Sequence, residues 1–286
     1  MLYEQTTINC QGKLLDLSSP IVMGIMNVTP DSFFEGSRAG NVMSLLDQAE
    51  KQLAEGAKIL DIGGMSTRPG AEMVSEITEM NRIKPAIRAI TKVFPEAIVS
   101  VDTFRAAIAH ACVNEGAHIV DDVSGGRLDP KMFETVAALQ VPYVLMHMKG
   151  TPKTMQSLAQ YDDVALEILD FFIKKVGILR GMGMKDILLD VGFGFAKNTE
   201  QNFELLNKLP VFKILECPIL AGISRKGMIW KTLGVTAEDS LIGTTAAHVF
   251  ALQGGAKILR VHDVKAAIET ICIFEKYQSI LNYCEM

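Results

Sequence analysis

The sequence carries none of the short signatures of a metal site or an activated nucleophile. Its five cysteines, Cys10, Cys112, Cys217, Cys272 and Cys284, are odd in number and scattered, and no pair has metal-site spacing. Three of them sit in apolar stretches, which reads as buried free thiols in a reducing cytosol. The histidines show neither HxH nor HExxH spacing, and no G-x-S-x-G elbow occurs. The N-terminus has no basic segment followed by an apolar run, so no secretory leader is expected. No stretch approaches the ~18 uncharged apolar residues of a membrane span. A net charge of -5 argues against a bulk nucleic-acid partner, although it leaves room for a local cationic pocket. Linkers, low-complexity segments and internal repeats are also missing. These absences point to a cytoplasmic chain with neither a nucleic-acid nor a membrane partner.

What is present is a regular alternation. A chain of 286 residues that is 49% hydrophobic can bury one large core, and we expect a single domain over residues 1–286. Short apolar runs recur at Ile21–Met26, Lys58–Ile62, Ala97–Val101, His118–Val123, Tyr143–His147, Ile187–Val191, Ile219–Ile223 and Lys257–Val261. Several are apolar on successive residues, as in Ile187-Leu188-Leu189, which marks strands buried on both faces. Amphipathic segments lie between them. Leu45, Leu46, Ala49, Leu53 and Ala54 form one helical stripe. Ile83, Ile87, Ile90 and Phe94 form a second, and Val164, Leu166, Ile168, Leu169, Phe172 and Val176 a third. Gly56, Gly116 and Gly183 stand where helix C-caps belong. Eight such βα units predict an α/β fold of the (β/α)8 TIM-barrel type. The alternating stretch Thr6–Leu17 around Gly12-Lys13 predicts an N-terminal hairpin that plugs the lower end.

Nearly every predicted strand ends on a polar residue: Asn27, Asp61, Asp102, Asp121, His147, Asp190, Ser224 and Arg260. An open doubly wound sheet concentrates such residues at one switch point, whereas a barrel gathers all of them at its mouth. Asp102 and Asp190 suit a ligand rich in N–H groups, such as a guanidine-like or pterin ring edge, because a poorly solvated carboxylate needs donors. Gly192–Asn198 lets backbone approach a ligand and offers a Phe to stack on a flat ring. Ser224-Arg225-Lys226-Gly227, with Arg260 and His262, predicts a positive corner for an anion at a helix N-terminus. The long loops Val28–Asn41 and Gly64–Glu72 predict binding elements.

Taken together, Gly24–Phe33, Gly63–Gly70, Val101-Asp102-Thr103, Leu145–Met148 with Thr151–Gln156, Leu188–Asn198, Gly222–Lys226 and Arg260–Val264 resemble the bacterial dihydropteroate synthases over nearly the whole chain. The resemblance implies a homodimeric, Mg2+-dependent barrel enzyme. Such an enzyme condenses 4-aminobenzoate with 6-hydroxymethyl-7,8-dihydropterin pyrophosphate, releasing pyrophosphate and giving 7,8-dihydropteroate for folate synthesis. It also implies a sulfonamide target. By position, Asn27 holds Mg2+ and pyrophosphate, and Thr67, Arg68, Arg260 and His262 hold the pyrophosphate. Asp102, Asp121, Met146, Asp190 and Lys226 line the pterin pocket, with Val123, Phe195 and Gly222 around the ring. Phe33 and Pro69 lie against 4-aminobenzoate. Asp102, Lys226, Arg260 and His262 carry the catalysis. The implied mechanism is a dissociative substitution that needs no side-chain nucleophile.

Four positions depart from the family pattern: Met65 for Glu, Asp121 for Asn, Val191 for Pro and Gly227 for Ser. Two rivals share the barrel, a pterin-dependent methyltransferase and a non-catalytic pterin-binding paralogue. The cationic residues at the last two strand ends argue against the first. Retention of both the pterin set and the anion set argues against the second.

Overall fold

The computed structural model describes residues 5–28, 38–65, 73–151 and 153–284. It opens with the hairpin β1 (Thr7–Cys10) and β2 (Lys13–Asp16), paired in register from Thr7 opposite Asp16 to Cys10 opposite Lys13. Gln11 and Gly12 turn the chain with φ of 53° and 91°, the all-positive pattern that suits strand twist, and Asn9 Oδ1 accepts from the Gly12 N–H at 2.7 Å.

The barrel strands are β3 (Ile21–Asn27), β4 (Ile59–Gly63), β5 (Ile98–Asp102), β6 (Ile119–Asp122), β7 (Tyr143–Met146), β8 (Ile187–Asp190), β9 (Ile219–Ala221) and β10 (Ala256–Val261). They are all parallel, and β10 pairs with β3 to close the ring. Between them run α1 (Arg38–Ala54), α2 (Glu76–Val93), α3 (Ala106–Asn114), α4 (Met132–Leu139), α5 (Val164–Gly181), α6 (Thr199–Asn207), α7 (Gly227–Leu233), α8 (Leu241–Gln253) and α9 (Val264–Cys284). The eight predicted runs are the eight strands, with ends displaced by a residue or two, and the expected TIM barrel with its hairpin is the fold.

Period-two alternation sends each strand's side chains to two separate cores. Outward residues such as Val22, Leu60, Val99, Val120, Leu145, Leu189 and Leu259 join the helix stripes, among them Ala49, Ile83, Ile87, Ile168 and Phe172. Ala54 and Leu166 leave their predicted stripes for solvent, Leu166 at 56% exposed. Inward residues of the lower barrel, Met23, Ile59, Ile98, Ile119, Val144, Leu188, Leu220 and Ile258, form a second core capped by Ile8, Cys10, Leu15 and Leu17 of the hairpin segment. Burying each large apolar side chain stabilises by roughly 1.5–3 kcal/mol, so the plug closes an end that water would otherwise enter. Cys10, Cys112 and Cys217 are buried thiols as expected, whereas Cys272 is exposed.

Candidate functional site

The inward face changes character halfway up the barrel. Above the apolar layers the same alternation delivers Asp61, Ser100, Asp102, Asp121 and Asp190, and from β10 it delivers Arg260. Strand register sets their contacts. Asp61 lies beside Ser100, and Asp102 lies beside Asp121. The Arg260 guanidinium reaches across to these strands. Its Nε donates to Asp61 Oδ2 at 2.6 Å and its Nη2 to Asp102 Oδ2 at 2.5 Å. Asp121 Oδ2 stands 3.5 Å from the same Nε but accepts no hydrogen bond.

On the other side of the mouth, Asp190 Oδ1 accepts from the Gly192 N–H at 2.7 Å. Lys226, the N-cap residue of α7, donates to the Phe193 carbonyl and holds its Nζ 4.7 Å from the centre of the Phe195 ring. Gly222 leaves the floor between them open. A Cβ there would lie 3.4 Å from Asp190 Oδ2 and 3.7 Å from Lys226 Nζ. Val123, Met146 and Phe195, with Met65, Phe104, Met148 and Met155, form an apolar wall above the charges. A flat ring with N–H donors on its edge matches such a slot, apolar on its face and acidic at its rim.

The electrostatics follow from crowding four carboxyls and two cations into a poorly solvated space. Burial pushes Asp102 up to about 6; the Arg260 charge works against this, and Asp61 and Asp122 add to it. Burial raises Asp121 well above the usual carboxylate range, again opposed by Arg260 and reinforced by Asp61, Asp102 and Asp190. Burial also brings Lys226 down to about 8, with Asp190 pulling the other way. Arg260 is disfavoured by burial, but the surrounding carboxylates outweigh that and hold it well above its ordinary value. Asp122 points outward, where it accepts from Tyr143 Oη at 2.7 Å and from the Ser124 and Gly126 N–H groups at 2.7 and 2.8 Å. It is a structural carboxylate.

The expected positive corner is smaller than its sequence suggested. Arg225 turns away from the mouth into a two-pronged ion pair with Asp263 at 2.7 and 2.9 Å and donates to the Ala237 carbonyl at 3.0 Å. Arg260 is drawn inward by carboxylates. His262 stands exposed at the rim with Nδ1 3.1 Å from Ser224 Oγ. Asn27 is also exposed, at the top of β3, level with Gly63. Phe33, Thr67, Arg68 and Pro69 lie outside the described residues. Asn27, Asp102, Asp121, Val123, Met146, Asp190, Phe195, Gly222, Lys226, Arg260 and His262 all lie at the C-terminal mouth.

Two groups carry more of the site than the sequence reading assigned them. Asp61 is fully buried and grips Arg260; the alternation Ile59, Asp61, Gly63 on one face of β4 was the signal. Lys197 is buried behind the ring slot, donating to the Gly192 and Phe195 carbonyls at 2.9 and 3.0 Å, with His147 Nδ1 3.3 Å away. Burial drives both Lys197 and His147 well below their ordinary values. Gly192 has φ of 72°, and a Cβ there would lie 2.0 Å from the His147 carbonyl oxygen, so only glycine fits this turn. No sequence period marks a lysine that works by holding backbone.

A parallel barrel whose mouth joins a carboxylate-rimmed ring slot to a guanidinium defines the class, and the chain belongs to it: the model for pterin binding enzymes matches residues 23–262. Within that class the chain belongs to the dihydropteroate synthase family. It is 42% identical to the dihydropteroate synthase of Escherichia coli K12 over 267 residues, covering 93% of this chain and 94% of that protein. The Yersinia pestis dihydropteroate synthase, solved with a sulfonamide drug complex, superposes with a TM-score of 0.89 at 41% identity, covering 96% of this chain and 99% of that one. The Xanthomonas albilineans dihydropteroate synthase in complex with 7,8-dihydropteroate gives 0.85 at 37% identity, covering 95% and 98%.

Proposed function

We propose that this protein condenses 6-hydroxymethyl-7,8-dihydropterin pyrophosphate with 4-aminobenzoate to 7,8-dihydropteroate, as a transferase of folate synthesis. One observation carries the reading: the closed ring of parallel strands brings Asp190 and the Arg260 guanidinium to the same end of the barrel, so one ligand can present a ring edge to Asp190 and an anion to Arg260. The pterin ring lies on Gly222 between Asp190 and Lys226, with Val123, Met146 and Phe195 at its faces and Asp121 at its edge. Arg260, His262 and Asn27, with Thr67 and Arg68, receive the pyrophosphate, and Phe33 and Pro69 receive 4-aminobenzoate.

The C–O bond to pyrophosphate breaks first, and its electron pair leaves on the anion. The resulting pterin-methyl cation is stabilised by the ionised carboxylates around it. The arylamine nitrogen then gives its lone pair to the methylene carbon and releases a proton to solvent. Among the described residues, no three His, Cys, Asp or Glu side chains are grouped to hold a metal. The Asn27 amide oxygen, which a Cβ on Gly63 would approach to 3.7 Å, is the donor type expected for an ion that arrives on the phosphates. Bound Mg2+ would supply charge neutralisation to the leaving group there.

A homodimer accompanies this reading. Ile242 (83% exposed) and Phe250 (57%) on α8, Leu233 on α7, Phe203 on α6 and Ile273 (73%) on α9 lie on neighbouring helices that a second copy would cover. The deciding assay is pyrophosphate release from the pterin substrate, followed with and without 4-aminobenzoate, with the pterin product identified by mass. Arylamine-dependent release with dihydropteroate formation is expected, and aryl sulfonamides should compete with 4-aminobenzoate. Release that ignores the arylamine, or no product, defeats the proposal.

A further inference from the structure

Three buried polar atoms beneath the mouth accept no hydrogen bond: Asp61 Oδ1, Ser100 Oγ and Asp121 Oδ2. Two of them belong to carboxylates that face the Arg260 guanidinium, and Ser100 lies beside Asp61 in register. The two anchors of the guanidinium differ in kind. Asp61 is wholly buried in the interior of β4, between Ile25 and Ser100 in register. Asp102 is the last residue of β5, with 10% of its side chain exposed at the rim. Nε is bound to the deep anchor, and Nη2 to the shallow one. Among the described residues Nη1 makes no hydrogen bond. Rotation about Cδ–Nε leaves that nitrogen in place and swings the outer nitrogens, and its N–H turns with them from Asp61 Oδ2 toward the unpartnered Oδ1. The guanidinium is thus held at its deep end by Asp61, and its outer end occupies a carboxylate that the ring slot needs.

We propose that Asp61 is a positioning residue on which Arg260 pivots. Its outer end exchanges Asp102 for the substrate's pyrophosphate. Asp102 is thereby released to the pterin only when the anion arrives. The inference rests on the reading that this mouth takes a pterin pyrophosphate, and it adds a consequence. Pyrophosphate and pterin assist each other's binding without touching, and each changes the other's affinity by the same factor. It also separates Asp61 from its neighbours. Asp102 and Asp121 face the ligand, whereas Asp61 acts through Arg260.

Calorimetry tests the coupling, using Mg2+ with inorganic pyrophosphate as one ligand and 6-hydroxymethyl-7,8-dihydropterin as the other. With the wild-type protein, each should tighten the other's binding about tenfold or more, a factor within the usual range of site-to-site coupling. In Asp61→Asn, pyrophosphate should bind about tenfold more weakly and the coupling should fall below about threefold. The sign is decisive. Removing a buried negative charge strengthens anion binding by Coulomb's law alone. A variant that binds pyrophosphate as tightly as wild type, or more tightly, overturns the pivot. A second measurement needs no variant at Asp61. In arginine side-chain 1H–15N spectra, assigned with Arg260→Lys, the Nε–H proton should stay protected from solvent exchange when pyrophosphate is added while the Nη signals move. Loss of that protection overturns the proposal. A wild-type protein that binds neither ligand defeats the functional reading itself rather than the pivot.

Discussion

Replacing Lys226 by Met should stabilise the ligand-free protein at neutral pH while removing its activity. Burial brings this lysine from 10.5 down to about 8 in the folded state. At about 1.36 kcal/mol for each unit, holding the ammonium charged in the fold costs about 3 kcal/mol relative to the neutral amine. Lys226 as a whole is only partly buried, so screening reduces this to about 2 kcal/mol. Met also gives up the hydrogen bond to the Phe193 carbonyl, which a neutral amine would keep, at about 1 kcal/mol. The sign runs opposite to the usual lysine in an ion pair. Between about pH 8 and pH 10.5 the unfolded chain binds more protons than the folded one, so wild-type stability rises with pH relative to the Met variant. Urea denaturation of both proteins at a series of pH values reads the difference between them. The Met variant should lead by about 1 kcal/mol near pH 7, and the lead should be gone by about pH 10.5. Wild-type turnover should fall as pH rises through about 8, when the ammonium loses its proton. A Met variant that is less stable than wild type at neutral pH, or a lead that does not shrink in alkali, refutes the reasoning.

Asp190→Asn should weaken pterin binding by more than about tenfold, since losing a buried charged acceptor costs roughly 1.5–3 kcal/mol; unchanged affinity by calorimetry removes Asp190 from the slot. Asp121→Asn should leave turnover near neutral pH almost unchanged and extend it to higher pH, because burial and three carboxylates keep Asp121 protonated, and so already amide-like, in the wild type. A large loss in the Asn variant at every point of a pH–rate profile contradicts that. Gly222→Ala should cost less than about 0.5 kcal/mol of stability, because the new methyl meets only ordinary contacts, yet it should sharply weaken pterin binding by raising the floor of the slot. Equal pterin affinity in the two proteins places the ring elsewhere. Ile242→Glu should shift the protein toward monomer in sedimentation at micromolar concentration, and an unchanged mass would put the subunit contact on another face.

Local pattern alone determined the barrel. Short runs such as Ile187-Leu188-Leu189 mark strands covered on both faces, and the amphipathic stripes between them mark covering helices. Period two also determined which residues share the mouth, so the clustering of Asp102, Asp121, Asp190 and Arg260 was legible before any coordinates. What each mouth residue touches was not legible, because that depends on strand stagger and on distances across a closed ring. Arg225 and Arg260 look interchangeable as cations at strand ends. Yet Arg225, with left-handed backbone at φ 54°, is turned outward to Asp263, while Arg260 is turned inward to Asp61 and Asp102. Asp61 reads as one strand-end carboxylate among several until the closure of β10 against β3 brings Arg260 over it, a contact across 199 residues of chain. Lys197 reads as a loop cation and becomes a buried clamp on two carbonyls only because the turn at Gly192 folds those carbonyls over it. Sequence specifies faces and periods, which are properties of short segments. Pairing and proton affinity belong to groups brought together from opposite sides of the barrel, and only the closed tertiary structure sets the distances and the burial that decide them.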